Sequence, residues 1–214
     1  RLTQSLKLVV CVLPLSALIG VIIGCFLAVQ PVSSARYRWT QRALTLLAST
    51  PLFWLSSIVL LALAIWFRAL PLEGGIGGPL ISLLLPTAAL WARLSERELR
   101  LYLPQSSVLG AQARGLSWPR AVVLHGFLPV AGPLMAFFGN QFGIWIGGIF
   151  VVETLFGWRG LGSLLIESVS RRDYPVLENG LFLISALSVL ANSAGSFAQS
   201  RWNRRSFSTQ GGQA

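Results

Sequence analysis

Charged residues are scarce in this sequence, and that scarcity excludes a soluble protein. Only 11% of the 214 residues are charged, whereas 54% are hydrophobic, and about a quarter of the residues in soluble domains carry charge. Nucleic-acid proteins cluster their basic residues on polar elements. Here the net charge of +10 comes from arginines in short gaps between apolar runs. The composition predicts one all-α domain, residues 1–214, that crosses a lipid bilayer several times and binds no nucleic acid.

Residues that bind metals or catalyse reactions are scarce too. Cys11 and Cys25 lie on one apolar run, where about 21 Å of helical rise separates them and prevents a disulfide. His125 is the sole histidine and belongs to no zinc-binding pattern. The sequence contains neither a G-x-S-x-G elbow nor a Walker A loop. It therefore predicts no catalytic residue, metal site or cofactor in this chain.

Uncharged stretches long enough to cross a bilayer, about 20 residues each, recur along the chain. They predict five spans, over residues 8–29, 43–67, 74–92, 121–152 and 179–200. The fourth contains Pro129, Pro133 and the pair Gly147-Gly148. We expect these residues to interrupt it, with part of the stretch lying along the membrane surface.

The gaps between the predicted spans alternate between two sides of unequal charge. One side has eleven arginines against two glutamates, and the other has six basic against five acidic residues. Cytoplasmic loops are enriched in Lys and Arg, so the first side is predicted to be cytoplasmic, with the C-terminus inside and the N-terminus outside. An outside N-terminus without a signal sequence suggests a missing upstream helix and a full-length protein of six spans.

Residues 105–120, on the predicted cytoplasmic side, have the pattern of a helical elbow. They read QSSVLGAQARGLSWPR. A serine can cap a short helix over residues 108–114, Gly115 suits the positive φ of a helix end, and Pro119 suits the first turn of a second helix. Such an elbow can insert into a groove of a soluble partner. An ordinary amphipathic loop is the alternative.

Asn140 and Gln141 are candidate residues of a polar pathway through the membrane. Polar side chains within a span often form hydrogen bonds between helices, and that is the alternative for this pair. The neighbouring Gly139 and Gly143 permit close approach of another backbone, which favours a functional position.

Four motifs occur in an order typical of one transporter family. Ala111-x-x-x-Gly115-Leu116-Ser117 resembles the cytoplasmic EAA loop of ABC-importer permeases, with Leu109 in place of its glutamate. Residues 151–162 (VVETLFGWRGLG) resemble the V-V-E-T-x-F-x-W-P-G-L-G signature of the dipeptide, oligopeptide and nickel permeases, with Arg159 replacing the proline. PLFWL at 51–55 and RDYP at 172–175 resemble two more of their motifs. The chain is thus similar to the first, B-type, permease of that family's pair.

The resemblance implies a fold, a function and partners. The fold would be the transmembrane domain of a type I ABC importer. The function would be that of a multi-pass permease subunit in the bacterial inner membrane, which translocates di- or oligopeptides, or nickel or a metal chelate. A second permease would complete a heterodimer. Two cytoplasmic ATPases would hold ATP and Mg, and an extracytoplasmic binding protein would deliver the substrate.

Two other functions are the alternatives to a permease. An intramembrane enzyme would need a catalytic dyad or metal cluster, and a channel or scaffold subunit would work without ATP.

The resemblance also implies which residues contact the ATPases and the binding protein. The ATPases would grip the elbow through Ala111, Gly115, Leu116, Ser117, Trp118 and Arg120. The binding protein would dock on an extracytoplasmic segment, residues 153–178, through Glu153, Trp158, Arg172 and Asp173.

Overall fold

The described part of the chain folds into α-helices. The computed structural model describes residues 1–66, 75–103, 106–117, 121 and 127–210, and within them the all-α prediction is confirmed. Long apolar helices are expected in a membrane because they satisfy their own backbone hydrogen bonds where water is absent. The described helices are α1 (Leu2–Ala28), α2 (Ala35–Ser49), α3 (Leu52–Trp66), α4 (Gly77–Tyr102), α5 (Ser106–Ala113), α6 (Phe127–Gly148), α7 (Phe150–Leu155), α8 (Leu161–Arg171) and α9 (Tyr174–Gln210).

Helices α1 and α4 pack side by side and run in the same direction. Near their starts, Leu8 shares a buried cluster with Leu83. Further along both helices, a β-carbon added to Gly24 would lie 2.6 Å from Ala92 O, and one added to Gly20 would overlap the α4 backbone. The two glycines, four residues apart, therefore allow the backbones to meet, as small-x-x-x-small steps do between membrane helices.

Helices α6 and α9 form a second pair, which is antiparallel. A β-carbon on Gly139 would overlap Ala191 O, and one turn later Ser188 Oγ donates a hydrogen bond to Gly143 O at 3.1 Å. Higher numbers in α6 thus meet lower numbers in α9. The close approach that Gly139 and Gly143 were expected to permit is present, and it is made with α9. Helix α6 also packs against α1 and α4.

The predicted span over residues 43–67 is broken rather than continuous. Helix α2 ends at Ser49, α3 begins at Leu52, and the two axes are bent by 103°. Pro51 explains the break, because proline has no backbone N–H and disfavours a helical conformation in the residue before it. Thr50 is accordingly extended, with φ −71° and ψ 126°.

The lengths of the apolar helices correspond to most of the predicted spans. Among the described residues, three helical stretches are long and apolar enough to cross a membrane, namely Leu2–Ala28, Gly77–Tyr102 and Tyr174–Arg204, and the bent pair of α2 and α3 adds a fourth. Helix α6 has 22 residues, or about 33 Å of rise. It ends at Gly148 as expected but continues through Pro129 and Pro133. The predicted interruption at the prolines is therefore wrong, because prolines in the first turns of a membrane helix remove few of its hydrogen bonds.

The helix ends fall into two groups. At what we term the basic end, α1 and α4 finish next to the start of α6, where Ala28, Leu99 and Val130 share a buried cluster. Helix α9 also finishes there, with Asn203 beside Gly132. At the opposite, Glu153 end, α1 and α4 begin, α6 finishes, and α7 and α8 lie between them. Among the described residues, these two groups match the two sides inferred from the arginine distribution.

Candidate functional site

The elbow predicted over residues 105–120 contains a short helix followed by a glycine in a left-handed conformation. Helix α5 covers Ser106–Ala113 and includes Ala111, close to the predicted 108–114. Arg114 N and Gly115 N close its last turn by donating to Gly110 O and Gln112 O. Gly115 has φ 88°, a conformation that glycine adopts without steric cost. The helix therefore ends where the sequence predicted, at a glycine with positive φ.

In the described part of the elbow, Leu116 is packed whereas several neighbouring residues are exposed. Leu116 is half-buried against Ala121, which is fully buried. Ser117 is exposed and accepts a hydrogen bond from Ala121 N. Leu109, at the position of the motif's glutamate, is 55% exposed. Because α4 finishes and α6 begins at the basic end, the elbow between them lies there too. Trp118, Pro119, Arg120 and His125 fall outside the described residues.

Asn140 and Gln141 do not share one environment. Successive residues point about 100° apart around a helix, and Gln141 is only 3% exposed whereas Asn140 is half-buried. Gln141 Nε2 is buried without a hydrogen-bond partner among the described residues. A buried amide without a partner is costly, so Gln141 is the member of the pair with unused hydrogen-bonding capacity.

Glu153 lies inside the protein rather than on its surface. The residue is 0% exposed. Its carboxylate accepts hydrogen bonds from Ser5 Oγ at 2.5 Å and from Ser163 N at 3.0 Å. Ser5 Oγ in turn accepts from Leu161 N at 2.7 Å. Leu161 and Ser163 belong to the first turn of α8, so Ser5 and Glu153 together satisfy two of the N–H groups that a helix start leaves free.

The glycines of the 151–162 motif make room for this arrangement. A β-carbon on Gly160 would overlap the Glu153 carboxylate, and one on Gly162 would lie 2.5 Å from Phe150 Cα. Both positions therefore require glycine. Burial raises the pKa of the Glu153 carboxyl, and the hydrogen bonds from Ser5, Ser163 and Gly162 and the charge of Arg1 offset only part of that rise.

The four residues predicted to contact a binding protein divide into two kinds. Glu153 is buried, so in this conformation it cannot touch a partner and instead holds α8 in place. Trp158 is half-buried and donates from Nε1 to Gln4 O at 3.2 Å, which ties the motif to α1. Arg172 and Asp173 are exposed, and they form the turn between α8 and α9, with Arg172 at φ 56°.

An open cleft at the Glu153 end has a volume of about 520 Å³ and is bordered by Trp158 and the residues around it. Arg1, Arg159 and Glu167 bring charge to its wall. Arg159 is exposed and stands where the family signature has proline. The sequence alone assigned no function to Arg159, because the cleft forms where Arg1 meets residues 153–167, which lie far from it along the chain.

A buried ionic network at the basic end was also missed from sequence. Glu96 is 7% exposed, forms an ion pair with Arg100, and accepts hydrogen bonds from Tyr37 Oη and Gln41 Nε2, each at 3.0 Å. Arg100 also donates to Leu27 O at 2.7 Å. The i,i+4 spacing of Glu96 and Arg100 was a visible signal for the ion pair, whereas Tyr37 is 59 residues away.

Comparison with known proteins gives the same family over nearly the whole chain. A family model described as "Binding-protein-dependent transport system inner membrane component" matches residues 20–207. The dipeptide transport system permease protein DppB of Escherichia coli is 25% identical over 228 residues, which cover 90% of this chain and 67% of that protein. The probable peptide ABC transporter permease protein y4tP of Sinorhizobium fredii is 31% identical, with 90% and 65% covered.

A third relative is named for the transport of a different substrate. The glutathione transport system permease protein GsiC of Escherichia coli is 32% identical over 166 residues, which cover 73% of this chain and 54% of that protein. This chain thus spans between about half and two thirds of the length of these three relatives.

Proposed function

Because the chain belongs to the family of inner membrane components of binding-protein-dependent transport systems, we propose that it is a permease subunit of an ATP-driven importer. The observation that carries this proposal is the elbow between α4 and α6. A membrane bundle that presents a short helix and a left-handed glycine at its arginine-rich end offers a contact for a soluble partner. Positive-inside bias assigns that end, and the C-terminus, to the cytoplasm.

Two separate ATPase subunits would act through the elbow. Ala111 and Gly115–Ser117 would form the contact in the described part, and Trp118 and Arg120 would extend it. Movement of α5 would be passed to the bundle through Leu116, which packs on Ala121. Coupling of this kind requires that the contact differ between inward-facing and outward-facing states. ATP and Mg would be bound by the ATPases and not by this chain.

An extracytoplasmic binding protein would dock at the Glu153 end. The exposed Arg172–Asp173 turn and the cleft beside Trp158 are the surfaces available to it. Glu153 supports that surface from below, because it fixes the start of α8. A partner that moves α8 would therefore also strain the hydrogen bonds from Ser5 and Ser163.

A second permease would cover α9 and complete the pathway. Only 6% of the most apolar part of α9 is buried in this chain, although the helix packs along α6. A heterodimer contact would account for that exposed surface. Gln141, with its unpaired amide, would then be the first residue to test as a contact for a peptide group in transit.

We propose di- or oligopeptides as the substrate, because the relatives above are named for peptide or glutathione transport. The test is uptake by proteoliposomes that contain this chain with a second permease, ATPases and a binding protein from the same organism. We expect ATP-dependent accumulation of labelled dipeptide, competed by unlabelled peptides and not by nickel. Competition by nickel alone would reassign the substrate, and uptake without ATP would overturn the importer proposal in favour of a channel.

A further inference from the structure

Four arginines line a wide cleft at the basic end. It has a volume of about 680 Å³ and lies between α2 and α4. Arg38 and Arg42 line it from α2, and Arg93 and Arg97 line it from α4. The last two are four residues apart, so they project from the same face of the helix. The cleft therefore concentrates four guanidinium groups in one place.

The one carboxylate in the cleft does not neutralise these arginines. Glu96 lines the cleft, but its charge is matched by Arg100, and its remaining oxygen capacity is used by Tyr37 and Gln41. Among the described residues, the ion pairs within 4.0 Å are Arg1–Glu167, Arg100–Glu96 and Arg171–Glu167. The four cleft arginines thus have no carboxylate partner in the described part of the chain.

The floor of the cleft is held by several contacts. Glu96 is buried, and the groups that bind it come from both α2 and α4, while the Arg100 guanidinium lies 4.8 Å from the centre of the Tyr37 ring. Arg100 also holds the end of α1 through Leu27 O and Gln30 O. A fixed floor holds the positions of the surrounding arginines and lowers the entropic cost of binding an anion between them.

The exposed face of α2 points to a membrane lipid as the source of that anion. Trp39 and Leu46 are 68% and 70% exposed, and Arg42 lies between them in sequence, 5.2 Å from the Trp39 ring. Apolar and basic side chains on one exposed face are typical of helices at a membrane surface, where the arginine reaches the headgroups. A soluble anion would give no reason for the exposed Trp39 and Leu46.

We propose that the cleft binds the phosphate of an anionic phospholipid of the adjoining leaflet. Guanidinium groups bind phosphate oxygens in pairs, and basic pockets between membrane helices at the cytoplasmic surface suit such headgroups. The phosphate lies between the arginines of α2 and α4, and the acyl chains lie along Trp39 and Leu46. The bound lipid bridges α2 to α4, the helix that leads into the elbow. This site goes beyond the proposed import function and does not depend on it.

The test compares two pairs of substitutions that remove equal charge from the same end. Arg93→Gln/Arg97→Gln empties the α4 side of the cleft, whereas Arg201→Gln/Arg204→Gln removes two exposed arginines of α9 outside it. The full-length protein is purified in neutral detergent, both with and without the ATPases. Its melting temperature is followed during titration with phosphatidylglycerol, phosphatidylcholine or inorganic phosphate, and retained lipid is counted by native mass spectrometry.

We expect phosphatidylglycerol, and neither of the other two, to stabilise the wild type and the α9 variant. The cleft variant should need at least tenfold more phosphatidylglycerol, since each arginine near an anionic headgroup contributes roughly 1 kcal/mol. Arg93→Lys/Arg97→Lys keeps the charge and should recover part of the effect, which separates lost binding from lost folding.

Three outcomes would overturn the proposal. Equal losses in the two glutamine variants would mean unspecific attraction to the charged end. Equal stabilisation by inorganic phosphate would assign the cleft to a soluble anion. Loss of the lipid effect when the ATPases are bound would make the cleft a protein interface.

Discussion

At the scale of single residues, the Glu153 carboxylate is surrounded by groups that donate hydrogen bonds to it. Hydrogen bonds to a charged group contribute about 1.5–3 kcal/mol each, and here they come from Ser5 and from the start of α8. Removing the partner of a buried charge costs roughly 3–5 kcal/mol. Ser5 and Glu153 should therefore be strongly coupled, and the shape of the Glu153 end depends on both.

The raised pKa of the Glu153 carboxyl should make the stability of the protein depend on pH. The pKa of this carboxyl in the folded protein is raised above the ordinary value of 4.5, chiefly by burial. A raised pKa means that folding favours the protonated form, so this contribution to stability is complete below pH 4.5 and is lost as pH rises through the folded pKa. Glu153→Gln keeps the shape without titrating. Relative to this variant, the wild type should therefore lose stability as pH increases.

The measurement is the melting temperature of both proteins in detergent across that pH window. Glu178→Gln, at an exposed glutamate, is the matched control and should run parallel to the wild type. If the difference between the wild type and Glu153→Gln does not change with pH, the carboxyl is not shifted in the folded protein.

The sequence identified Glu153 as important but gave it the wrong position. Its motif indicated an exposed docking residue, whereas the structure buries it. The reason is distance along the chain, since Ser5 precedes Glu153 by 148 residues and no local pattern reports a hydrogen bond of that span. The requirement for Gly160 and Gly162 has the same origin, because it arises from atoms that pack against them in three dimensions.

At the scale of secondary-structure elements, the elbow depends on the backbone of Gly115 rather than on its packing. Among the described residues, no atom lies within 4 Å of the position of a β-carbon there, yet φ is 88°. A side chain would therefore meet no neighbour and would still be strained. That combination lets one substitution change the path of the chain without disturbing a core.

Replacing Gly115 with valine should uncouple the elbow. β-Branched residues avoid positive φ at a cost of about 1–3 kcal/mol, so the chain after α5 would take another direction. We expect loss of peptide uptake and of ATPase association, with membrane insertion unchanged. Uptake in proteoliposomes and copurification of the ATPases are the two readouts.

Two further variants show whether the effect of Gly115→Val comes from backbone strain or from the size of the added side chain. Gly115→Asn adds a side chain that tolerates the left-handed region and should keep most activity. Gly110→Ala adds a β-carbon inside α5, where the nearest atom is 3.8 Å away, and should be neutral. Full transport by Gly115→Val would remove the coupling role proposed for the elbow.

Periodicity and turn chemistry predicted these elements unevenly. Hydropathy located α1, α4 and α9, and turn residues located α5 and Gly115, because both signals are local. Pro51 indicated the break between α2 and α3, but the apolar residues on either side of it predicted one continuous span. For α6 the reverse holds: Pro129 and Pro133 predicted an interruption that is absent, because a membrane helix tolerates prolines near its start. Local signals thus gave the elements but not the places where they bend.

At the scale of the whole molecule, the two helix pairs fix the relative direction of the chain. The parallel α1 and α4 and the antiparallel α6 and α9 leave the elbow at one end and the α8–α9 turn at the other. The arginine counts predicted the same two groups of helix ends. Both the helix directions and the charge distribution follow from successive crossings of a membrane.

Cysteine labelling should reproduce that partition in cells. In a background with Cys11→Ala and Cys25→Ala, the exposed Ser170 at the Glu153 end and the exposed Gln112 in the elbow are replaced singly by cysteine. A membrane-impermeant maleimide should label Ser170→Cys in intact spheroplasts, and Gln112→Cys only after the membrane is opened. Labelling with the two sites reversed would overturn the assigned orientation.

The bond between Ser5 and Glu153 also sets an order of assembly during synthesis. Ribosomes add about 5–20 residues per second, so Ser5 leaves the ribosome roughly 7–30 s before Glu153 does. During that interval α1 can already pack against α4, through Leu8 and Leu83 at one end and through Gly20 and Gly24 further along. The hydrogen bonds that join Ser5 to Glu153 and to the start of α8 can therefore form only after the contacts between α1 and α4 have become possible.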